Sequence, residues 1–456
     1  MTPPTDPDVK ADDLVAAFCE ASIRDWTGRA ARMLEANPEI ARTGFAAAVV
    51  LGDVDPVREH LSRVPEDATR RDERTGWTAL HLVCASRWHR LDPRRADGMV
   101  AVARMLLDAE ADPLSAAPGR RPGGGWTPLR CAIAGEANAP IVRLLLERGA
   151  VPDDHDLYLA GFGGGDEHET LRLVLDAMPD VSTSTALAAP ISTGDTAAVR
   201  LLLEAGVEPN RPVPAELFGA SHEGEPPVPT VYAAVRAGVP PLLLGLLVEH
   251  GADPDAPGGE GRSPIRLAIG HGREDLVEML QRLGARDDTT EADRLLAACQ
   301  RGDRADALGR AAAHPDLVDT LDAEQRSSIV TAAESGRLAA VELLLDVGIP
   351  ADTRNGDGAT ALHLAAYSGA AHIVRLLLAR GADIEARDAQ WDSTPLDWAA
   401  VGSGERPDNT QDPDWPAVVR LLLDAGASTD GITVDPQQPK QPSPEVAELL
   451  EAAMRS

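Results

Sequence analysis

A short apolar helix that stops on glycine recurs along this chain, and that recurrence limits the chain to folds built from repeated layers. The copies read IVRLLLERGA (141–150), VRLLLEAGV (199–207), LLVEHGAD (246–253), VEMLQRLGA (277–285), VELLLDVG (341–348), IVRLLLARGAD (373–383) and VVRLLLDAGA (418–427). Three consecutive apolar residues after a Val predict a helix buried on more than one side, and the glycine supplies the left-handed backbone that ends it. The terminal glycines set the period. Gly251 to Gly284 is 33 residues and Gly348 to Gly381 is again 33, whereas Gly206 to Gly251 and Gly381 to Gly426 are 45 each, one unit plus an insertion.

A second signature stands upstream of several of these helices: TALHLVCAS (78–86), TPLRCAIAG (127–135), SPIRLAIGHG (263–272), TALHLAAYSG (360–369) and TPLDWAAVGSG (394–404). Thr or Ser caps a helix by accepting a hydrogen bond from a free backbone N–H, and Pro fits the first helical turn. The small residues that follow let a neighbouring helix approach closely. Together the two signatures resemble the ankyrin repeat, whose unit of about 33 residues is a turn followed by two antiparallel helices. Thr360, Leu362, His363, Gly369, Leu376, Leu377, Leu378 and Gly381 match that pattern in register. The resemblance covers about residues 43–430, and with degenerate copies such as FAAAVVLGD (45–53), LAAPISTGD (187–195) and VYAAVRAGV (231–239) it gives about eleven units.

The expected fold is therefore all-α: an ankyrin-repeat solenoid of stacked helix pairs, with short turns or fingers between repeats and atypical helical caps at both ends. Residues 1–42 read as a disordered start and an N-terminal helical cap, 43–284 as a first sub-array and 285–325 as a degenerate helical repeat or bend. Residues 326–430 read as a second sub-array and 431–456 as a linker and C-terminal helix. Aromatic residues make up only 3% of the chain, which suits thin layers packed from Ala, Leu and Val. Long insertions at 88–98, 211–229 and 404–415 interrupt the period, and insertions in such arrays often serve binding.

Charge narrows the function. With 73 acidic against 43 basic residues the formal net charge is −30, which disfavours nucleic acid and anionic membranes. No apolar run reaches the ~18 residues that span a bilayer, no secretory signal is evident at the N-terminus, and a cytoplasmic location is expected. Cys19, Cys84, Cys131 and Cys299 are too dispersed for a disulfide framework or a zinc-binding pair. Cys84, Cys131 and Cys299 fall at helix positions that face the interior, so they read as small core residues. His81 and His363 stand fourth in TALH, a position that the resemblance implies ties neighbouring turns together. The runs GFGGG (161–165) and PGRRPGGG (118–125) lack the Lys and Ser/Thr of a phosphate loop and read as turns.

No catalytic constellation, cofactor site or metal site emerges, so the chain is expected to be no enzyme but a monomeric module that binds another protein as a scaffold, adaptor or inhibitor. An enzyme with its site in an insertion loop and a structural spacer are the alternatives. The departure that suggests a contact surface is Arg and Trp gathered in two turns: Arg70, Arg71, Arg74 and Trp77 in TRRDERTGW, and Arg120, Arg121 and Trp126 in APGRRPGGGW. These residue types dominate binding energy in protein interfaces. Both tryptophans are expected to be exposed, just before the capping Thr, and to face an acidic or mixed-charge partner. Trp391, in the turn before TPLD, and Trp398, inside that helix, are expected to extend a second contact area.

Overall fold

The computed structural model describes residues 11–24, 28–72, 75–117, 125–134, 138–162, 168–218, 226–258, 261–405, 412–430, 432 and 441–455. These residues are helical and contain no extended strand; only isolated antiparallel bridges occur, at Ala117 with Trp126, Val213 with Val228 and Arg354 with Thr360. Each bridge closes a finger in front of a helix pair. The chain forms two compact units, 1–208 and 209–456.

In the first unit, helices Ala11–Arg24 and Arg29–Ala36 precede five helix pairs: Phe45–Leu51 with Val54–Arg63, Ala79–Ala85 with Ala96–Asp108, Pro128–Ala134 with Ala139–Glu147, Asp154–Ala160 with Glu169–Ala177, and Ala188–Thr193 with Thr196–Glu204. First helices pack on first helices and second on second, so each pair buries its apolar side against the next. The insertion at 88–98 forms a helical turn, Trp88–Leu91, and a 3-10 turn, Pro93–Arg95, rather than an open loop. Trp88 is buried and donates its indole N–H to Ser22 Oγ at 3.0 Å, which ties the insertion to the N-terminal helix.

Among the described residues the second unit holds six pairs: Thr230–Arg236 with Pro241–Glu249, Pro264–Gly270 with Glu274–Arg282, Glu291–Arg301 with Arg304–Ala313, Ser328–Glu334 with Leu338–Asp346, Ala361–Tyr367 with Ala371–Ala379, and Pro395–Glu405 with Trp415–Asp424. Helix Pro444–Met454, capped by Ser443, covers the last pair, and Val446 and Leu450 are buried there. Residues 285–325 carry the third of these pairs, followed by a 3-10 turn, Val318–Thr320, and a short helix, Ala323–Arg326. Helix Glu291–Arg301 packs on Leu338–Asp346, the second helix of the following pair, which departs from the first-on-first rule.

The local logic is clearest in residues 360–382. Thr360 sits in extended backbone at the helix start, and its N–H and hydroxyl both meet His363 Nδ1, at 3.1 and 2.9 Å. In the second helix Ile373, Val374 and Leu377 are buried. Gly381 then adopts φ 80°, and the following Ala382 N–H closes back on the Leu377 carbonyl at 3.0 Å.

Candidate partner-binding surface

The residue three places after the capping Thr or Ser, fourth in TALH, TPLR, SPIR and TPLD, ties a first helix to its surroundings. In the first unit His81 Nδ1 accepts from the Thr78 N–H at 3.2 Å, so the ring proton sits on Nε2, which donates to the Ser115 and Trp126 carbonyls at 3.1 and 2.9 Å. Burial holds this imidazole below its ordinary pKa and therefore neutral. His363 repeats the arrangement, with Nε2 donating to the Ser393 carbonyl at 3.1 Å.

Where the histidine is replaced, charge takes its place. Arg130, buried on the next first helix, donates through Nε to Asp156 Oδ1 at 2.9 Å, through Nη2 to both Asp153 oxygens at 2.7 Å, and through Nη1 to the Gly125 carbonyl at 2.6 Å. In the second unit Arg266 Nε donates to Asp293 Oδ2 at 2.6 Å, and Gln325 Nε2 donates to Asp293 Oδ1 at 2.7 Å. Asp397 takes the histidine's acceptor role by receiving the Thr394 N–H at 2.7 Å. The TALH motif displays only the two histidines. The shared register of TALH, TPLR, SPIR and TPLD was the available signal for the rest.

The first nominated area differs from expectation. Trp77 and Trp126 are half-buried rather than exposed. Trp77 lies against the His81 ring, centroids 5.7 Å apart, and Trp126 is held by paired backbone hydrogen bonds to Ala117, both 2.9 Å. Arg71 bridges the two fingers, donating to the Gly76 and Ala116 carbonyls at 3.0 and 3.1 Å. Arg70 is exposed and pairs with Asp67 at 2.9 Å. Arg74, Arg120 and Arg121 lie outside the described residues.

The second area presents its aromatic surface openly. Trp391 is 58% exposed at the tip of its finger and meets Trp398 edge-on, centroids 5.6 Å apart. Trp398 is half-buried, contacts Tyr367 and His363 at 5.8 and 5.6 Å, and donates its indole N–H to Asp388 at 3.0 Å. The Asp388 carboxylate also accepts the backbone N–H groups of Gln390, Trp391 and Ser393, so the finger that holds Trp391 is fixed around one buried acid. Tyr367 Oη donates to Glu405 at 2.7 Å.

All four cysteines are buried and free, and burial raises each thiol, to about 12 for Cys19 and Cys299, so none is poised as a thiolate. Among the described residues no group of His, Cys, Asp or Glu is placed to hold a metal ion, and no helix is long and apolar enough to cross a membrane.

Parts of this chain match known family models. A family model described as ankyrin repeats (3 copies) matches residues 295–388 and 329–433, one described as ankyrin repeats (many copies) matches 232–281, and one described as ankyrin repeat matches 124–157. The chain is 30% identical over 248 residues to ankyrin repeat and SAM domain-containing protein 6 of Danio rerio, which covers 54% of this chain and 28% of that protein. It is 44% identical over 68 residues to the NF-kappa-B inhibitor cactus of Drosophila melanogaster, 14% of each chain. The human ASB11 ankyrin repeat domain aligns with 59% of this chain and 96% of that one, at 21% identity and a TM-score of 0.27. The chain spans less than a third of the length of either curated relative.

Proposed function

Because this chain is an ankyrin-repeat protein, we propose that it binds a partner protein on the face formed by its fingers and first helices, as an adaptor or an inhibitor, and catalyses nothing itself. The observation that carries this reading is the exposed Trp391 ring, standing on Trp398 with no apolar cover of its own. An exposed indole on a rigid support is the kind of group that dominates interface energy, because little side-chain entropy is lost when it is covered. The first area, with Arg70, Arg71, Arg74, Trp77, Arg120, Arg121 and Trp126, contributes less in this reading. The Arg71 guanidinium already serves finger carbonyls, and both indoles are partly covered.

The test is affinity capture from native cell extract with wild-type chain, Trp391→Ala, and the double change Trp77→Ala with Trp126→Ala. The Trp391 variant is expected to lose at least ~30-fold in affinity for the captured partner, the size of a hot-spot loss of about 2 kcal/mol, with an unchanged melting temperature. The double variant is expected to lose less. Equal capture by wild type and Trp391→Ala would reject the surface, and absence of any specific partner would reject the function.

A further inference from the structure

The aromatic patch of the second unit is bordered by acids that lack a cation. The first helices Ser328–Glu334, Ala361–Tyr367 and Pro395–Glu405 contain no Lys or Arg. Glu334 ends the first of them, where its carbonyl accepts the Ser368 hydroxyl at 3.3 Å, one residue past Tyr367, and the Asp357 carbonyl accepts the Ala389 N–H at 2.8 Å, which joins its finger to the one that holds Trp391. Among the described residues neither the Glu334 nor the Asp357 carboxylate makes a hydrogen bond or ion pair. The Glu334 side chain is exposed and Asp357 half-buried; partial burial and the neighbouring Asp388 raise the Asp357 carboxyl above its ordinary value. The nearby arginines are committed elsewhere, Arg354 to the Gly358 and Arg387 carbonyls and Arg387 to the Asp392 carbonyl.

We propose that Trp391, Trp398 and Tyr367, with Glu334 and Asp357 beside them, form a receptor for an arginine side chain presented by an extended segment of the partner protein. The proposal rests on the protein-binding reading above and names the chemistry of what is bound. Three features select the occupant. An indole face attracts a cation through its ring quadrupole, and guanidinium, being planar, stacks there better than ammonium. Two carboxylates without partners complement the same charge and gain by its arrival. An acidic or neutral apolar segment would cover the rings but leave both carboxylates further desolvated and still unpaired.

The experiment titrates the full chain with a short Gly/Ser peptide bearing one central arginine, and with counterparts bearing lysine, citrulline or norleucine. The readout is the indole N–H resonances of Trp391 and Trp398, assigned with Trp391→Phe and Trp398→Phe. The arginine peptide is expected to shift both resonances saturably, at least fivefold tighter than lysine and tenfold tighter than citrulline, which keeps the shape and removes the charge. Glu334→Gln with Asp357→Asn, both isosteric, is expected to weaken the arginine peptide at least fivefold without lowering the melting temperature. Equal titration by arginine and citrulline, no saturable shift with arginine, or no effect of the double carboxamide would each overturn the proposal. A captured partner that is lost with Trp391→Ala but not with the double carboxamide would overturn the cation assignment while the binding surface stands. A saturable arginine titration in a chain that captures no partner would support the site and reject the broader function.

Discussion

At the scale of single residues, the fourth position of the TALH-type motif ties a layer to its neighbour. Arg130 is 5% exposed and Asp156 2%, so their pairing is made out of water, with Asp153 completing the guanidinium's contacts. Removing only the cation leaves a buried carboxylate uncompensated. Arg130→Met is therefore expected to destabilise the first unit by about 3–5 kcal/mol, whereas Arg130→Met with Asp156→Leu recovers most of that loss. Urea unfolding of the three chains checks both statements, and a double variant no better than the single would contradict them. The sequence displayed His81 and His363 through TALH, and their tying role followed from the resemblance. Arg130 and Arg266 stood in the same column, but their partners lie 26 and 27 residues downstream, short of a full period, so spacing alone did not pair them. The half-burial of Trp77 and Trp126 was illegible because it comes from local contacts, the His81 ring and the Ala117 backbone, that spacing does not display.

At the scale of elements, the helix pairs were legible because each carries its own stop and start. What spacing could not express is how closely successive first helices approach. A Cβ at Gly402, on helix Pro395–Glu405, would overlap the Tyr367 carbonyl of the preceding first helix. That carbonyl also accepts the Trp415 indole N–H at 2.8 Å, so the buried tryptophan that ends the insertion at 404–415 is hung on the same contact. Gly381, by contrast, has open space around it and is required only by its φ of 80°. Gly381→Ala is expected to cost about 1–2 kcal/mol from backbone strain, with packing undisturbed. Gly402→Ala is expected to cost more, because backbone has to give way, and to expose Trp415. Chemical denaturation together with quenching of tryptophan fluorescence separates the two, and comparable losses with no added quenching in Gly402→Ala would refute the close-approach argument.

At the scale of the whole molecule, neutral histidines inside an acidic protein set the response to acid. Burial lowers His81 and His363, and burial with Arg236, Arg262, Arg337 and Arg273 lowers His271 to about 4. The folded chain keeps these rings unprotonated while the unfolded chain takes up protons below about 6.5, so their contribution is intact above that value and falls away below it, for His271 down to about 4. For His271 the full descent corresponds to roughly 3 to 3.5 kcal/mol. The raised carboxyls of Asp357 and Asp156 act with opposite sign, so the contribution of the histidine is isolated by comparison with His271→Gln. That variant is expected to show a shallower decline of melting temperature between pH 6.5 and 4.5; parallel profiles would contradict the assignment. The paired charges of the first-helix column also give the array a grammar. An idealised stack of identical units tolerates slippage and shuffling, but here Arg130 must be followed by the layer carrying Asp156, and Arg266 by the one carrying Asp293. Exchanging two layers would set like charge against like, or strand a charge among alkyl groups, so the order of units is itself part of what the residues encode.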